Sequence, residues 1–375
     1  MTTTFSIPTT IHMGGDALEQ LRTFPIKRAL LVCDPFLTKN GGVTEVTSRL
    51  EAMGAQWELF DGILPDPTVD LVSEGVARIL DCRPDTLIAM GGGSAIDAAK
   101  AVSLIYTRTG AGEKPLFIAI PTTSGTGSEV TSFSVLSDPQ AGAKYPLVDD
   151  EMLPEAALLD PSLTRSVPPV VTADTGMDVL THVMEAFVSP DANDFTDALA
   201  EKAFGMVFQY LPRAVRDGGD TEARERLHNA SCMAGIAFNN ASLGLCHGMA
   251  HPLGALLHLS HGRTNALLLP HVVAFNAGLG EQGEFPARAR YAALARQIGC
   301  CCYSETIAVQ SLARKIQELM TEIGLPHKLE KAEQRTLMDG QLDSLAQGAL
   351  ADRCTGGNPR TPHAEQIKEL YGRLL

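Results

Sequence analysis

The chain has 375 residues, of which 45% are hydrophobic and 20% charged, and its formal net charge is -14. This length exceeds the size at which a single hydrophobic core stops growing, so two domains are expected. An acidic surface repels phosphate backbones and anionic lipids, and this repulsion disfavours nucleic acid and membrane partners.

The first part of the chain alternates short apolar segments with amphipathic ones. The apolar segments have the length and composition of buried strands, and they lie at 29–33, 57–60, 87–90, 116–120 and 156–159. The segments 69–80 and 95–105, which lie between them, have helical periodicity. The alternation predicts βαβ units and a Rossmann-like parallel sheet, so we expect an α/β domain over residues 1–168.

The pattern changes after Pro161, where Pro168 and Pro169 interrupt the chain. Beyond them the periodicity is helical and strand-like segments are rare. The predicted helices are 172–188, 194–210, 222–238, 243–257, 286–298 and 305–323. We therefore expect an all-helical domain over residues 169–375, and its long apolar faces predict a homodimer or a larger homo-oligomer.

The cysteines and the N-terminus indicate a compartment. Eight cysteines occur without a C-x-x-C pair, which fits a reducing environment. Cys300, Cys301 and Cys302 are consecutive, so their side chains diverge and do not converge on one metal ion. The N-terminus lacks the pattern of a secretory signal, and no segment has the roughly 20 apolar residues of a membrane helix. We expect a cytoplasmic protein.

A glycine-rich turn follows the strand predicted at 87–90 and leads directly into the helix predicted at 95–105. The turn consists of Gly91, Gly92, Gly93 and Ser94. Glycines let backbone amides approach an anion, and the N-terminus of a helix favours negative charge. The G-x-G-x-x-G motif is incomplete, because Ile96 takes the third glycine position, and a plain strand-to-helix turn is the alternative.

A second polar turn with two glycines follows the strand predicted at 116–120. Its hydroxyl-bearing candidates for ligand binding are Thr122, Thr123 and Ser128. Because ligands of open parallel sheets bind at the carboxyl ends of the strands, we expect both turns at one crevice. The two turns together predict that the first domain binds a dinucleotide.

Asp34 stands at the end of the first predicted strand. Its carboxylate suits a hydrogen bond to a ribose 2′-hydroxyl and would repel a 2′-phosphate, which favours NAD over NADP. A helix or turn cap is the alternative role for this side chain.

Candidate metal ligands occur at helical spacing in the second domain. Asp178 and His182 are four residues apart, His247 and His251 repeat that spacing, and His261 follows ten residues later. Side chains four apart share one face of a helix. One carboxylate with several imidazoles suits Fe(II) or Zn(II) better than Ca(II) or Mg(II).

These motifs together resemble the iron-containing (group III) alcohol dehydrogenases over essentially the whole chain. The resemblance rests on the 91–94 turn with Asp97 and Lys100, on segment 122–129, on the Asp178, His182, His247, His251 and His261 set, and on Asn358, Pro359 and Arg360. The segment 144–202 is most similar to the propanol and ethanol dehydrogenases of propanediol- and ethanolamine-degrading bacterial microcompartments. This similarity adds other microcompartment enzymes as expected partners.

The resemblance implies roles for individual residues. The implied metal ligands are Asp178, His182, His247 and His261, and the implied proton relay beside the nicotinamide is His251. Asp97 and Lys144 join the implied cofactor-binding residues, and Phe238 and Cys354 are implied to line the substrate pocket. Arg263 and Thr264 depart from the small or apolar residues usual in the family, which predicts a change in pocket polarity or in a subunit contact.

The expected activity is an NAD-dependent interconversion of a short-chain primary alcohol and its aldehyde, such as propanol and propanal or ethanol and acetaldehyde, with Fe(II) or alternatively Zn(II). Glycol or glycerol dehydrogenase is one alternative. A dehydroquinate-synthase-like lyase is another, but its multiply anionic substrate needs several cations, and segment 243–271 offers only Arg263. A metal-binding scaffold without catalysis is the third.

Overall fold

The computed structural model describes residues 3–138 and 143–375, without the side chains at 138 and 143–146. The described residues form two compact units. One is Ser6–Ser166, and the other is Val167–Leu375 together with the N-terminal residues up to Phe5. The sequence placed a single boundary after residue 168.

The first unit is an α/β unit, as predicted. Its strands are β1 Thr10–Met13, β2 Arg28–Cys33, β3 Gln56–Phe60, β4 Thr86–Gly91, β5 Leu116–Pro121, β6 Phe133–Asp138, β7 Ala143–Val148 and β8 Ala156–Leu159. Its helices are α1 Pro35–Lys39, α2 Thr44–Ala52, α3 Val69–Cys82 and α4 Gly93–Arg108. The main sheet is parallel with the order β1-β8-β5-β4-β2-β3, and β6 and β7 form a separate antiparallel pair.

The strand order creates a switch point in this sheet. The chain moves from β2 outward to β3, returns to β4 on the other side of β2, and continues to β5. The connections therefore leave β2 and β4 in opposite directions, and ligands of such sheets bind at the carboxyl ends beside this point. Strand β4 is buried along its whole length between two apolar clusters, which explains its continuous apolar sequence.

The second unit is helical in all of its described regular structure, which confirms the predicted fold class. Its helices are α5 Pro169–Val188, α6 Asp194–Arg216, α7 Thr221–Ala241, α8 Leu245–Leu257, α9 His261–Asn276, α10 Pro286–Gln297, α11 Glu305–Glu322, α12 Ala332–Asp339, α13 Leu342–Ala351 and α14 Ala364–Gly372. Helix α5 packs against α6, α7 and α9 and is buried from Thr172 onward on almost every side. Among the described residues, no helix combines the length and apolar character needed to cross a membrane.

A buried lysine joins α4 to the segment that leads into β6. Lys100 Nζ donates to Ser128 Oγ at 2.9 Å, to Thr131 Oγ1 at 3.1 Å and to the Phe133 carbonyl oxygen at 2.7 Å. Burial lowers the pKa of Lys100 to about 8, against the opposing effect of the Asp97 and Glu129 carboxylates. A buried cation of this kind is stable only while its partners remain in place.

We expect Lys100→Met to lower the free energy of unfolding by about 3–5 kcal/mol, because Ser128, Thr131 and the Phe133 carbonyl would lose their shared buried donor. Urea unfolding followed by circular dichroism measures the change. Lys114→Met is the control: Lys114 Nζ lies 2.7 Å from Glu155 Oε1 in a solvent-accessible pair, for which about 1 kcal/mol or less is expected. Equal losses in the two variants would contradict the importance of the Lys100 network.

Candidate functional site

The two glycine-rich turns lie side by side in the α/β unit. Gly91 ends β4 opposite Pro121 of β5, and the backbone N–H of Thr122 donates to the Gly91 carbonyl oxygen at 2.9 Å. A Cβ at Gly93 would lie 2.7 Å from the Cγ2 atom of Thr126, so the first turn packs directly on the second. The φ of Gly91 is +154°, a backbone conformation that favours glycine.

These turns open onto a helix N-terminus. Helix α4 begins at Gly93, and its N-cap residue, Gly92, makes no side-chain cap bond. Ser94 lies in the first helical turn, and Thr123 lies beside Gly92. The N–H groups at the start of a helix and the helix dipole favour an anion at this position.

Asp34 lies at the carboxyl end of β2, beside the same switch point. Its Oδ1 atom accepts from the backbone N–H of Phe36 at 2.8 Å and of Leu37 at 3.1 Å, so the side chain caps α1. Its Oδ2 atom would lie 3.5 Å from a Cβ at Gly91. Asp34 therefore caps α1 and also lies next to the glycine turn.

The other cofactor residues named from the sequence differ in their surroundings. Asp97 Oδ1 accepts from Ser128 Oγ at 2.5 Å, and Asp97 Oδ2 accepts from the backbone N–H of Val135 at 3.0 Å. The side chains of Asp97 and Ser128 thus belong to the network around Lys100. Lys144 lies in β7, and its side chain is outside the described part of the structure.

Four side chains from three helices converge in the helical unit. Helix α5 supplies Asp178 and His182, α8 supplies His247, and α9 begins with His261. One donor atom from each lies within 4.8 Å of the others. Asp178 Oδ1 is 3.9 Å from His182 Nε2, 3.7 Å from His247 Nε2 and 3.4 Å from His261 Nε2.

This geometry fits a divalent metal. Ligands about 2.1 Å from a tetrahedral ion are separated from one another by about 3.4 Å, close to the three distances from Asp178. Burial alone would raise the pKa of Asp178, but the surrounding imidazoles of His261, His182 and His247 outweigh it and hold the pKa below its usual range. The site therefore presents an ionised carboxylate to three imidazoles.

Glu185 orients one of these imidazoles. His247 Nδ1 lies 2.5 Å from Glu185 Oε2, and Glu185 Oε1 accepts from the backbone N–H of Cys246 at 2.6 Å. With Nδ1–H donating to the carboxylate, Nε2 of His247, which lies 3.7 Å from Asp178 Oδ1, is the ring atom left for a metal. Glu185 was not identified from the sequence, although it continues the 178 and 182 spacing by one more turn of α5.

Asn265 lies against the same cluster. Its Nδ2 atom donates to Asp178 Oδ1 at 2.8 Å and is 3.2 Å from Nε2 of both His247 and His261. The sequence reasoning missed this residue because it did not predict the helix at His261–Asn276. Once α9 is recognised, the four-residue spacing from His261 to Asn265 is a usable signal.

A second group lies around His251. His251 Nδ1 is 2.7 Å from Asp352 Oδ2, and donor atoms of His251, Asp352 and Cys354 lie within 4.8 Å of one another. The His251 ring stacks on the His261 ring with centroids 5.3 Å apart. Nothing in the sequence around Asp352 indicated its contact with His251, because 101 residues separate the two.

The structure also places Phe238 at the cluster. Its ring centroid lies 4.6 Å from that of His182. Phe238 and Cys354, the two pocket residues named from the sequence, therefore each lie beside a different histidine of the site.

Comparisons with known proteins agree over both units. The family model described as "Iron-containing alcohol dehydrogenase" matches residues 8–161, and the one described as "Fe-containing alcohol dehydrogenase family, C-terminal" matches residues 172–375. The chain is 45% identical to 1-propanol dehydrogenase PduQ of Salmonella typhimurium, with 99% of this chain and 100% of the relative covered. It is 39% identical to the NADPH-dependent butanol dehydrogenase of Clostridium saccharobutylicum, with 98% and 96% covered. A solved structure of 1,3-propanediol oxidoreductase matches with a TM-score of 0.91, 32% identity and full coverage of both chains.

We expect Glu185→Gln to weaken the binding of a divalent metal about tenfold to a hundredfold, because the amide holds the His247 ring less firmly than the carboxylate does. Competition of the protein with a chromogenic chelator for Zn(II) measures the affinity. Glu201→Gln, an exposed position on α6, is the control and leaves the affinity unchanged. An unchanged affinity in Glu185→Gln would refute this role for Glu185.

Proposed function

Because the chain belongs to the iron-containing alcohol dehydrogenase family, we propose that it is an NAD-dependent alcohol dehydrogenase with a divalent metal, iron in the first place and zinc as the alternative. Its substrates are a short-chain primary alcohol and the corresponding aldehyde. The convergence of Asp178, His182, His247 and His261 carries the proposal, since one carboxylate and three imidazoles are a donor set for such an ion.

The metal, the nicotinamide and His251 have different parts in the proposed reaction. When bound, the metal supplies Lewis-acid polarisation of the substrate oxygen and the nicotinamide accepts or donates the hydride. Asp352 accepts the hydrogen bond of His251 Nδ1, which leaves Nε2 as the ring atom that exchanges a proton. The His251 side chain is 31% exposed, so we infer that the ring passes the proton to solvent.

The dinucleotide is assigned to the turns of the α/β unit. The residues proposed to contact it are Asp34, Gly91, Gly92, Gly93, Ser94, Thr122, Thr123 and Lys144. Backbone N–H groups at the start of α4 bind the pyrophosphate, and Asp34 Oδ2 accepts from the ribose. Asp97 and Ser128 support the turns through the Lys100 network rather than by direct contact.

The similarity to 1-propanol dehydrogenase PduQ favours propanol and propanal as the substrate pair. Phe238 and Cys354 are the proposed pocket residues. The fold similarity to 1,3-propanediol oxidoreductase keeps a glycol as the second candidate. Comparing propanal with 3-hydroxypropanal as substrate separates the two.

The proposal extends to the surroundings of the enzyme. We place it in the cytoplasm as a homodimer or larger homo-oligomer, associated with a bacterial microcompartment and its other enzymes. The similarity to PduQ supports the microcompartment association. Absence of the protein from compartments purified from cells that make them would reject that association.

Metal-stripped protein reloaded anaerobically with Fe(II) is expected to oxidise NADH in the presence of propanal, because the four donors then hold their ion. The loss of NADH absorbance measures the rate, and the same protein reloaded with Zn(II) tests the alternative. No activity with either metal and several aldehydes would contradict the proposed function.

His251→Ala separates proton transfer from metal binding. We expect it to keep its metal and to lose about 100-fold or more in turnover, whereas His261→Ala loses metal. Metal content and turnover are measured on the same samples. His258→Asn is the control, because His258 is exposed and its φ of +51° is tolerated by asparagine. Loss of metal from His251→Ala with retention in His261→Ala would reverse the assignment.

Asp34 tests cofactor choice. Asp34→Asn keeps a side-chain cap for α1 but removes the charge that repels a 2′-phosphate. We expect the ratio of kcat/KM for NADH over NADPH to fall about tenfold or more, an energy difference typical of one charged contact. Asp34→Ala also loses the cap, so it measures how much the loss of the α1 cap changes the ratio of kcat/KM for NADH over NADPH. An unchanged ratio in Asp34→Asn would remove Asp34 from the cofactor site.

A further inference from the structure

One carboxylate contacts two residues that flank His261. Asp174 Oδ2 accepts from Ser260 Oγ at 2.6 Å, and Asp174 Oδ1 accepts from Arg263 Nε at 3.0 Å. Ser260 is the N-cap residue of α9, yet its hydroxyl makes no cap bond within its own helix. The start of α9 is therefore joined to α5 through Asp174.

The backbone at this point is also closely packed. A Cβ at Gly262 would lie 2.0 Å from the Asp174 carbonyl oxygen and 3.3 Å from Asp178 Cβ. Only glycine allows the first turn of α9 to approach α5 this closely. The three residues Ser260, Gly262 and Arg263 thus all contact the turn of α5 that precedes Asp178.

His261 needs such support more than the other ligands do. Its side chain is 41% exposed, whereas that of His182 is 4% exposed and that of His247 is 1% exposed. Packing therefore holds His182 and His247 in place, while His261 stands at the first position of its helix with solvent on one side. A ligand in this position is the one most easily released.

The Asp174 and Arg263 pair has the burial that makes an ion pair effective. The Asp174 side chain is 11% exposed and that of Arg263 is 25% exposed, so solvent screens their attraction only partly. Ser260 satisfies the second oxygen of Asp174. The pair, the hydroxyl and the close glycine contact act on the same helical turn.

We propose that Asp174, Arg263 and Ser260 are positioning residues that hold His261 against Asp178 and thereby set how slowly the metal is lost. This inference rests on the metal site of the proposed function. It assigns Arg263, which the sequence singled out as a departure, to metal retention rather than to the substrate pocket or a subunit contact.

Arg263→Gln gives the decisive test because electrostatics and positioning predict opposite results. Removal of a cation near a divalent metal would by charge alone slow metal release. Loss of the contact to Asp174 frees the His261 turn, so we expect release about tenfold faster. Protein loaded with Co(II) is mixed with excess chromogenic chelator, and the release rate is read without substrate or cofactor. Release at the wild-type rate or slower overturns the proposal.

Two further variants keep the test decisive. Gly262→Ala changes no charge but pushes α9 from α5, and it should also accelerate release. Arg263→Lys keeps the charge and is expected to restore part of the retention, and it replaces the glutamine variant if that fails to fold. Faster release in Arg263→Gln without any recovery in Arg263→Lys, together with wild-type release in Gly262→Ala, would contradict positioning.

A matched control lies elsewhere in the helical unit. Arg213 Nε pairs with Asp220 Oδ2 at 2.9 Å, and Arg213→Gln should leave metal release unchanged. If Arg213→Gln released metal as fast as Arg263→Gln, general loosening of the fold would explain the effect. That result would overturn the proposal. Wild-type protein that retains metal but oxidises no alcohol would reject the proposed function and leave this inference standing.

Discussion

Burial of the Asp178 carboxylate is the constraint on which the helical unit depends. The side chain is 4% exposed, and a buried anion is tolerated only when cations or hydrogen-bond donors surround it. Three imidazoles and the Asn265 amide, carried by α5, α8 and α9, meet this need. The helices must therefore pack so that these segments meet at one point, and the same arrangement creates a set of donors for a metal.

Helix α5 organises that meeting along one face. Asp174, Asp178, His182 and Glu185 follow at spacings of four, four and three residues, so they lie above one another. Asp178 and His182 supply donor atoms, Glu185 orients His247 on α8, and Asp174 fixes the start of α9. A single helix face thus contributes candidate ligands and also contacts the candidate ligands that other helices supply. The α/β unit also brings its candidate residues together at one place, because Asp34 and the glycine turn after β4 flank the same switch point.

The sequence predicted most of this architecture because its signals are local. Apolar segments of strand length and helical periodicity located β2, β3, β4, β5 and β8 and most helices from α3 to α11. The four-residue spacings singled out His182, His247 and His251, and His261 was noted ten residues after His251. Strand β1 was missed because its TIHM sequence has only two apolar residues and a half-exposed edge position. Helix α9 was missed because Pro270 and the polar residues near its start interrupt the pattern.

Contacts distant in sequence were beyond such signals. Asp352 approaches His251 across 101 residues, and Asp174 reaches Arg263 across 89, through tertiary packing that no spacing encodes. The hydrogen bonds that join Ser128 to Asp97 and to Lys100 are likewise not revealed by the motif alone.

Anomalous X-ray diffraction from crystals of the iron-loaded protein tests the central claim most directly. The account predicts one iron peak about 2.0–2.2 Å from an Asp178 oxygen and from Nε2 of His182, His247 and His261. The absence of a peak at Asp178, His182, His247 and His261 would contradict the account. A peak bound instead by His251, Asp352 and Cys354 would also contradict it.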